Sequence, residues 1–175
     1  MIIETERMYI RPWKIEDAQS YYELTKDPRI GPAAGFPTPK NPEEGKKIVQ
    51  FLTTLWGFYA LVLKDTSEVI GSIQILIGES SNFHIADDEG ELGFWIGAPY
   101  WRKGFATEAI KEMIAFGFED LQLKKIWCGY FSDNTASKEL QQKCGFSKHH
   151  IMDKVQTLTG EEKVEIVTCI TKSAD

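Results

Sequence analysis

The segment from Glu91 to Phe118 constrains the fold most, because it passes from a strand into a helix with very little between them. It reads "ELGFWIGAPYWRKGFATEAIKEMIAFGF". The apolar run stops at a proline, and a helix with apolar residues at helical spacing follows "WRKGFAT". Gly104 and Ala106 stand at the junction. Small residues let a ligand approach the backbone, and helix N-termini attract phosphate. A tight turn that only needs small residues is the structural alternative.

Length and composition favour one globular domain spanning residues 1–175. Hydrophobic residues make up 42% of the chain and charged residues 26%, which is ordinary for a globular protein. The net charge of -6 argues against nucleic acid as the main partner. The start, "MIIETERMYIRPW", lacks the apolar core of a signal peptide, and no window approaches the ~20 apolar residues of a membrane span. We therefore expect a cytoplasmic protein without a membrane partner.

The order of predicted elements indicates an α+β domain with a mixed sheet. Helices are predicted over 15–28, from Pro42 with Asn41 as its cap, from about Thr107, and over 132–143. The predicted strands cover 8–12, 58–64, 69–77, 91–97, 124–131 and 164–171, with a weaker candidate at 148–155. The segment 31–42 holds four of the seven prolines and is expected to be a loop. Ile48, Phe51, Leu52 and Leu55 form the apolar stripe of the helix that begins at Pro42.

Two common phosphate-binding loops are absent from the sequence. There is no Walker-type loop, and no triple-glycine dinucleotide fingerprint follows the first strand. A second segment is informative instead. "NTASKELQQKCGF", Asn134 to Phe146, places a polar pair, Asn134 and Ser137, three residues apart at a helix entry and ends in Gly-Phe.

These two segments strongly resemble the GNAT superfamily of acetyl-CoA-dependent N-acetyltransferases, in its RimJ/RimL-like branch. "GFWIGAPYWRKGFATEA" is similar to the acyl-CoA segment of that branch, and "NTASKELQQKCGF" to the helix motif that follows it. "IETERMYIRPWKIEDAQSYYEL" and "EVIGSIQI" match the usual start and third strand. The resemblance implies a central, mostly antiparallel mixed sheet of about seven strands, splayed between strands 4 and 5 and flanked by about four helices.

The resemblance also implies acetyl-CoA as cosubstrate and assigns residues to it. Backbone groups of Phe94, Trp95 and Ile96 would bond the pantetheine arm, and Asn134 would contact the same arm. The turn that cradles the diphosphate would comprise Trp101, Arg102, Lys103, Gly104, Phe105, Ala106 and Thr107. The segment departs from the family pattern in three places. An aromatic residue, Trp101, stands where many members have Gln or Arg, Arg102 stands where glycine is frequent, and Ala106 replaces a common second glycine.

Acetyl transfer to an amine needs a group that removes the ammonium proton, donors for the oxyanion, and help for the departing thiolate. Glu91 is the predicted base, because the branch often has an acidic residue there; a strand-end carboxylate in solvent or in a salt bridge is the alternative. Ser137 is predicted to assist the thiolate, with helix capping as its alternative. The tyrosine acid of many GNAT enzymes is replaced by Gln141. No metal is expected, since no metal-ligand spacing occurs and the adjacent His149 and His150 would face opposite sides of a strand.

The resemblance implies a primary amine as the acceptor and favours a protein N-terminal α-amine, which could be ribosomal. A small-molecule amine such as a polyamine or an antibiotic is the alternative. A non-catalytic CoA-binding module is a further alternative, permitted by the missing tyrosine. The loops 31–42 and 78–90 are expected to border the acceptor site, with Phe36, Trp56 and Phe83 as candidate lining. For Trp56, packing in the core is the favoured alternative. Homodimers are common among similar enzymes, but these residues do not specify the oligomeric state.

Overall fold

The computed structural model describes residues 1–172 and contains eight strands and five α-helices in that range. The strands are β1 (Ile3–Glu4), β2 (Met8–Pro12), β3 (Phe58–Leu63), β4 (Val69–Ile77), β5 (Glu89–Ile96), β6 (Lys125–Phe131), β7 (Ser147–Gln156) and β8 (Glu162–Thr171). The helices are α1 (Ala18–Thr25), α2 (Gly31–Ala34), α3 (Pro42–Leu52), α4 (Phe105–Glu119) and α5 (Thr135–Lys143). No helix among residues 1–172 is long and apolar enough to cross a membrane.

The predicted fold class is confirmed, with small differences in the number of elements. The strands form one mixed sheet in the order β1-β2-β3-β4-β5-β6-β8-β7. The prediction of about seven strands was one short, because the two-residue strand β1 also pairs with β2. The weak strand candidate is the ten-residue β7. The proline-rich segment 31–42 is not all loop, since Pro32 stands in the first turn of the short helix α2, where its missing N–H costs nothing.

The chain divides into two compact units. The first contains residues 1–73 and 94–109, and the second contains 74–93 and the residues from 110 onward. Strands β4 and β5 and helix α4 have residues in both units. The single domain predicted over 1–175 stays a prediction, and its last three residues lie outside the described part.

In the first unit, an aromatic and aliphatic core forms between helices and strands. Its buried members are Trp13, Tyr21, Val49, Ala60, Val62 and Val69. The predicted cap of α3 is confirmed, because Asn41 Oδ1 accepts a hydrogen bond from the Glu44 N–H at 2.9 Å. Two members of the predicted stripe are wrong, since α3 ends at Leu52 and Leu55 lies beyond it. Phe51 is 62% exposed, and Val49, which is fully buried, takes the inward position.

In the second unit, β6 lies between a parallel and an antiparallel partner. It pairs in parallel with β5 over four residue pairs, from Glu89–Lys125 to Leu92–Cys128. The register ends there, although β5 continues to Ile96 and β6 to Phe131, in agreement with the predicted splay between these strands. On its other side β6 pairs with β8 along its whole length. Strand β5 begins at Glu89 rather than at Glu91, so Glu89 belongs to the strand and not to the preceding loop.

Candidate active site

The turn before α4 has an unusual backbone. Arg102 and Gly104 both adopt positive φ angles, 60° and 84°. Helix α4 begins at Phe105, and the Gly104 carbonyl accepts the first helical hydrogen bond from the Glu108 N–H at 3.1 Å. The first N–H groups of a helix have no partner inside it, and residues in left-handed conformation help to form concave arrangements of N–H groups that bind anions. The predicted turn therefore has a backbone suited to an anion.

Arg7, in the β1–β2 connection, braces this turn, and the sequence analysis missed it. Its Nη1 donates to the Lys103 carbonyl at 2.9 Å, and its guanidinium carbon lies 4.3 Å from the centre of the Phe105 ring. Its Nε also pairs with Glu108 Oε2 at 2.7 Å. Arg7 thus connects Lys103 within the turn, Phe105 at the start of α4 and the carboxylate of Glu108 in the first turn of that helix. In the sequence, Arg7 ends the charged run "ETER", which matches no motif.

Glu108 would repel an anion at the start of α4 if its charge were unpaired. Its Oε1 accepts from the Thr5 hydroxyl at 2.5 Å and from the Arg7 N–H at 2.8 Å. Burial by itself would raise the pKa of Glu108, but the hydrogen bonds from Thr5 and Arg7 and the charge of Arg7 outweigh it and lower that pKa. The carboxylate stays ionised and is neutralised locally by Arg7.

Two tryptophans, Trp95 within β5 and Trp101 beyond it, hold the end of this strand. Trp101 Nε1 donates to the Ile96 carbonyl at 2.6 Å, and the Arg29 guanidinium lies 5.1 Å from the Trp101 ring. The Trp95 ring packs against the rings of Trp13, Tyr21 and Phe36 at centroid distances of 6.5, 5.9 and 6.2 Å. The side chain of Trp95 is therefore a packing element, which leaves only its backbone for the predicted ligand contact.

Glu91, the predicted base, is 7% exposed and its carboxylate holds the segment 81–83. Oε2 accepts from the Ser81 hydroxyl at 2.8 Å and from the Asn82 N–H at 2.6 Å, and the Asn82 side-chain amide donates to Oε1 at 3.0 Å. The Ser81 hydroxyl also accepts from the Phe83 N–H at 2.9 Å. Glu91 is thus not a solvated strand-end carboxylate. Its contacts are those of a residue that positions a loop.

Asn134 and Ser137 lie together at the start of α5. Asn134 Oδ1 accepts from the Ser137 N–H at 3.0 Å and caps the helix. Gln141, fully buried, donates from Nε2 to Ser137 Oγ at 3.1 Å and to the Gly129 carbonyl at 2.8 Å. Its Oε1 accepts from the Thr168 hydroxyl at 2.7 Å. The residue that replaces the family's tyrosine is therefore a connector between α5, β6 and β8. Because Ser137 Oγ accepts in this contact, its own hydroxyl hydrogen can be donated elsewhere.

Glu165 on β8 is a second residue that the sequence analysis missed. Burial, with an addition from the negative charge of Glu91, raises the pKa of its carboxyl from 4.5 to about 7. Its Oε1 lies 2.1 Å from the point where a Cβ on Gly129 would stand. No motif marks this position, since a Glu in "KVEIV" looks like an ordinary strand residue.

The two adjacent histidines correct an expectation from strand geometry. His149 and His150 do not face opposite sides; their Nδ1 atoms are 2.8 Å apart, and both rings lie against Trp127, at 4.8 and 6.3 Å. The cause is an irregularity in the β7–β8 register between Lys148 and His150, which turns successive side chains to one side. Within residues 1–172 no group of three His, Cys, Asp or Glu side chains could hold a metal ion.

The chain belongs to the GNAT acetyltransferase family, since the model of the acetyltransferase (GNAT) domain matches residues 7–147. It is therefore an acetyl-CoA-dependent N-acetyltransferase, as the resemblance implied. It is 28% identical to the uncharacterized N-acetyltransferase YoaA of Bacillus subtilis over 86% of this chain and 85% of that protein.

Solved structures show the same fold. A putative ribosomal-protein-serine acetyltransferase from Vibrio cholerae superposes with a TM-score of 0.82 at 21% identity, covering 98% of both chains. A ribosomal-protein-S5-alanine acetyltransferase from Vibrio fischeri gives 0.74 at 22% identity, covering 98% of this chain and 96% of that one. Both names agree with the RimJ/RimL-like branch that the sequence resembles.

Proposed function

We propose that this enzyme transfers the acetyl group of acetyl-CoA directly to a protein N-terminal α-amine in a ternary complex. The observation that carries the cofactor part is the turn at residues 101–107, with two positive φ angles directly before α4. The acceptor part is supported by the structural neighbours in Vibrio, which are named as a putative ribosomal-protein-serine acetyltransferase and a ribosomal-protein-S5-alanine acetyltransferase.

The diphosphate of acetyl-CoA is proposed to bind the backbone N–H groups of Gly104, Phe105, Ala106 and Thr107, where the partial positive charge of α4 lies. Arg102 and Lys103 add positive charge beside them, and charge-assisted hydrogen bonds are about twice as strong as neutral ones. Trp101 fixes the preceding strand end through its bond to Ile96. The local neutralisation of Glu108 by Arg7 supports this assignment, because it removes the nearest negative charge.

The pantetheine arm is proposed to bond to backbone groups of Phe94, Trp95 and Ile96, and to Asn134. Ser137 is proposed to donate its hydroxyl hydrogen to the thiolate as it leaves. The contact from Gln141 supports this role, because it fills an acceptor position of Ser137 Oγ and orients the hydroxyl. Glu91 is proposed to act in positioning, since its oxygens already accept hydrogen bonds from Ser81 and Asn82.

Acetylation of a panel of amines tests the function. Purified enzyme is incubated with acetyl-CoA and with peptides that begin with Ser or Ala, polyamines or aminoglycosides, and thiol release is measured. Peptides are expected to be acetylated at the α-amine, as mass spectrometry will show. The matched control is each peptide with its α-amine blocked and its lysines free, which should give no product. Turnover confined to polyamines or aminoglycosides would overturn the peptide assignment, and turnover with none of the amines would overturn the function.

A further inference from the structure

We propose that Glu165 is the general base of this enzyme, and that Glu91 positions the segment against which Glu165 lies. This inference rests on the proposed acetyl transfer to an amine. It names the group that removes the proton from the attacking ammonium, a role that the sequence pattern assigns to Glu91.

The register of the β6–β8 ladder places Glu165 beside Gly129, which has no side chain. Gly129 lies opposite Val167, and Phe131 lies opposite Glu165. Paired residues in an antiparallel ladder share a face, so Glu165 and the missing side chain of Gly129 are on the same face. A Cβ at Gly129 would stand 2.1 Å from Glu165 Oε1 and 2.9 Å from its Cδ. Only glycine leaves the room that this carboxylate occupies.

Gly129 is also where β6 loses its parallel partner. The last residue of β6 paired with β5 is Cys128. The carboxylate of Glu165 is therefore beside the first β6 residue beyond the parallel pairing. The side chain is only partly buried, so a substrate amine can reach it. Glu91, at 7% exposure, lacks that access.

Glu91 and the loop that it holds shape the surroundings of Glu165. The Cζ atom of Phe83 would be 3.0 Å from a Cβ at Gly129, so the Phe83 ring lies next to the Glu165 carboxylate. Phe83 follows Ser81 and Asn82, and both of these residues donate hydrogen bonds to the Glu91 carboxylate. Glu91 thereby places an apolar ring beside Glu165, and its charge acts on Glu165 as well. Both effects favour the protonated form of Glu165.

The other charged or titratable groups around Glu165 do not offset these two effects on its protonation. Strand β7 contributes Met152 directly opposite. Strand β6 contributes the thiol of Cys128, whose own pKa is raised chiefly by burial and further by the charges of Glu91 and Glu165. Lys163 lies two residues before Glu165 on β8, and its Nζ forms ion pairs with Asp133 Oδ2 at 3.6 Å and Glu161 Oε2 at 3.8 Å. The result is a carboxyl that titrates near neutral pH, where a base for an amine works best.

Gly129 further connects Glu165 with Ser137. The Gly129 carbonyl accepts from Gln141, which also donates to Ser137 Oγ. The candidate base and the candidate donor to the thiolate are therefore organised around the same backbone residue. In the reaction, the Glu165 carboxylate takes one proton from the ammonium of the acceptor. The freed nitrogen attacks the thioester carbon, the C–N bond forms and the C–S bond breaks. Ser137 donates its hydroxyl hydrogen to the coenzyme A sulfur and takes up the second proton of the nitrogen, and Glu165 returns its proton to water.

The test is the pH dependence of acetyl transfer in three variants, each with the amine that the wild type accepts. Wild-type kcat/KM is expected to fall on the acid side with an apparent pKa of about 7. In Glu165→Gln the rate at neutral pH should fall by about 10²-fold or more and the acid limb should vanish, while calorimetry gives an unchanged Kd for acetyl-CoA. In Glu91→Gln the limb should remain but move to lower pH. Glu162→Gln, an exposed carboxylate on the same strand, is the matched control and should match the wild type.

Two further readouts keep the assignment falsifiable. Gly129→Ala should displace the Glu165 carboxylate and lower kcat while the fold, followed by circular dichroism, is retained. Titration of the Glu165 carboxyl by NMR should show it protonating near neutral pH in the wild type. A Glu165→Gln enzyme with wild-type rate and acid limb, or loss of the limb in Glu91→Gln alone, would overturn the Glu165 assignment. A wild type that acetylates no amine would overturn the proposed function as well.

Discussion

Replacing Glu165 with glutamine should stabilise the protein at neutral and alkaline pH but not in acid. Glutamine has nearly the shape of a protonated glutamate and carries no charge. In the wild type, burial and the charge of Glu91 raise the pKa of Glu165 from 4.5 to about 7. The folded state therefore keeps a proton that the unfolded chain releases, and stability falls as pH rises between these two values.

The size of the effect follows from the shift. A pKa unit corresponds to 1.36 kcal/mol, so a rise from 4.5 to about 7 is worth roughly 3 kcal/mol at its limit. Glu165 is partly exposed, and solvent screening reduces this to about 1–2 kcal/mol. In the wild type, deprotonation of Glu165 lowers the free energy of unfolding by the full amount above about pH 7 and not at all below pH 4.5. Glu165→Gln avoids this loss of stability at every pH.

Urea unfolding followed by circular dichroism, at about pH 5 and about pH 8, measures the difference. Glu165→Gln should gain about 1–2 kcal/mol over the wild type at the higher pH, or a melting temperature higher by about 2–8 °C, and much less at the lower pH. Glu162→Gln is the control and should give equal stabilities. A gain that is the same at both pH values, or a loss at the higher pH, would refute the burial argument for this carboxyl.

Three other substitutions test the remaining contacts. Gly104→Ala should lower the free energy of unfolding by about 1–2 kcal/mol, because an L-residue is strained in the left-handed region, and it should weaken acetyl-CoA binding in calorimetry. The control is Gly160→Ala, at the same φ of 84° in the β7–β8 hairpin, which should lose as much stability but leave binding unchanged. Asn134→Ala should lose about 1 kcal/mol with the helix cap and weaken acetyl-CoA binding, whereas Asn134→Asp should keep the stability. Gln141→Leu should lose about 1–3 kcal/mol in urea unfolding, because it removes the donor to the Gly129 carbonyl and leaves the Thr168 hydroxyl with its longer contact to the Cys128 carbonyl at 3.1 Å; a neutral result would show that these buried groups are satisfied without the Gln141 side chain.

Most of the helices and strands, and the position of the turn at residues 101–107, could be predicted from local sequence alone, whereas β1 and α2 were missed. The junction at Gly104 requires a positive φ, and a helix with apolar periodicity follows it, so "WRKGFATEA" indicates its own conformation. Asn41 and Asn134 cap helices because an Asn side chain before a helical run satisfies an N–H three residues on. The resemblance to the family motifs added the expectations of acetyl-CoA and of splayed strands, because the residues and spacing of those motifs can be read in the sequence.

The tertiary structure decided which charged side chains act together. Arg7 reaches Glu108 and Lys103 across about a hundred positions of sequence, and nothing near Arg7 indicates those partners. Glu91 and Glu165 differ in hydrogen bonding because Ser81 and Asn82 donate to Glu91, whereas the same segment places the Phe83 ring beside Glu165. A pKa depends on burial and on neighbouring charges, and both are set by chain pairing over long separations. Local sequence therefore predicted the turn that we propose for the diphosphate, and only the fold determined which carboxylate is held by hydrogen bonds and which is partly exposed.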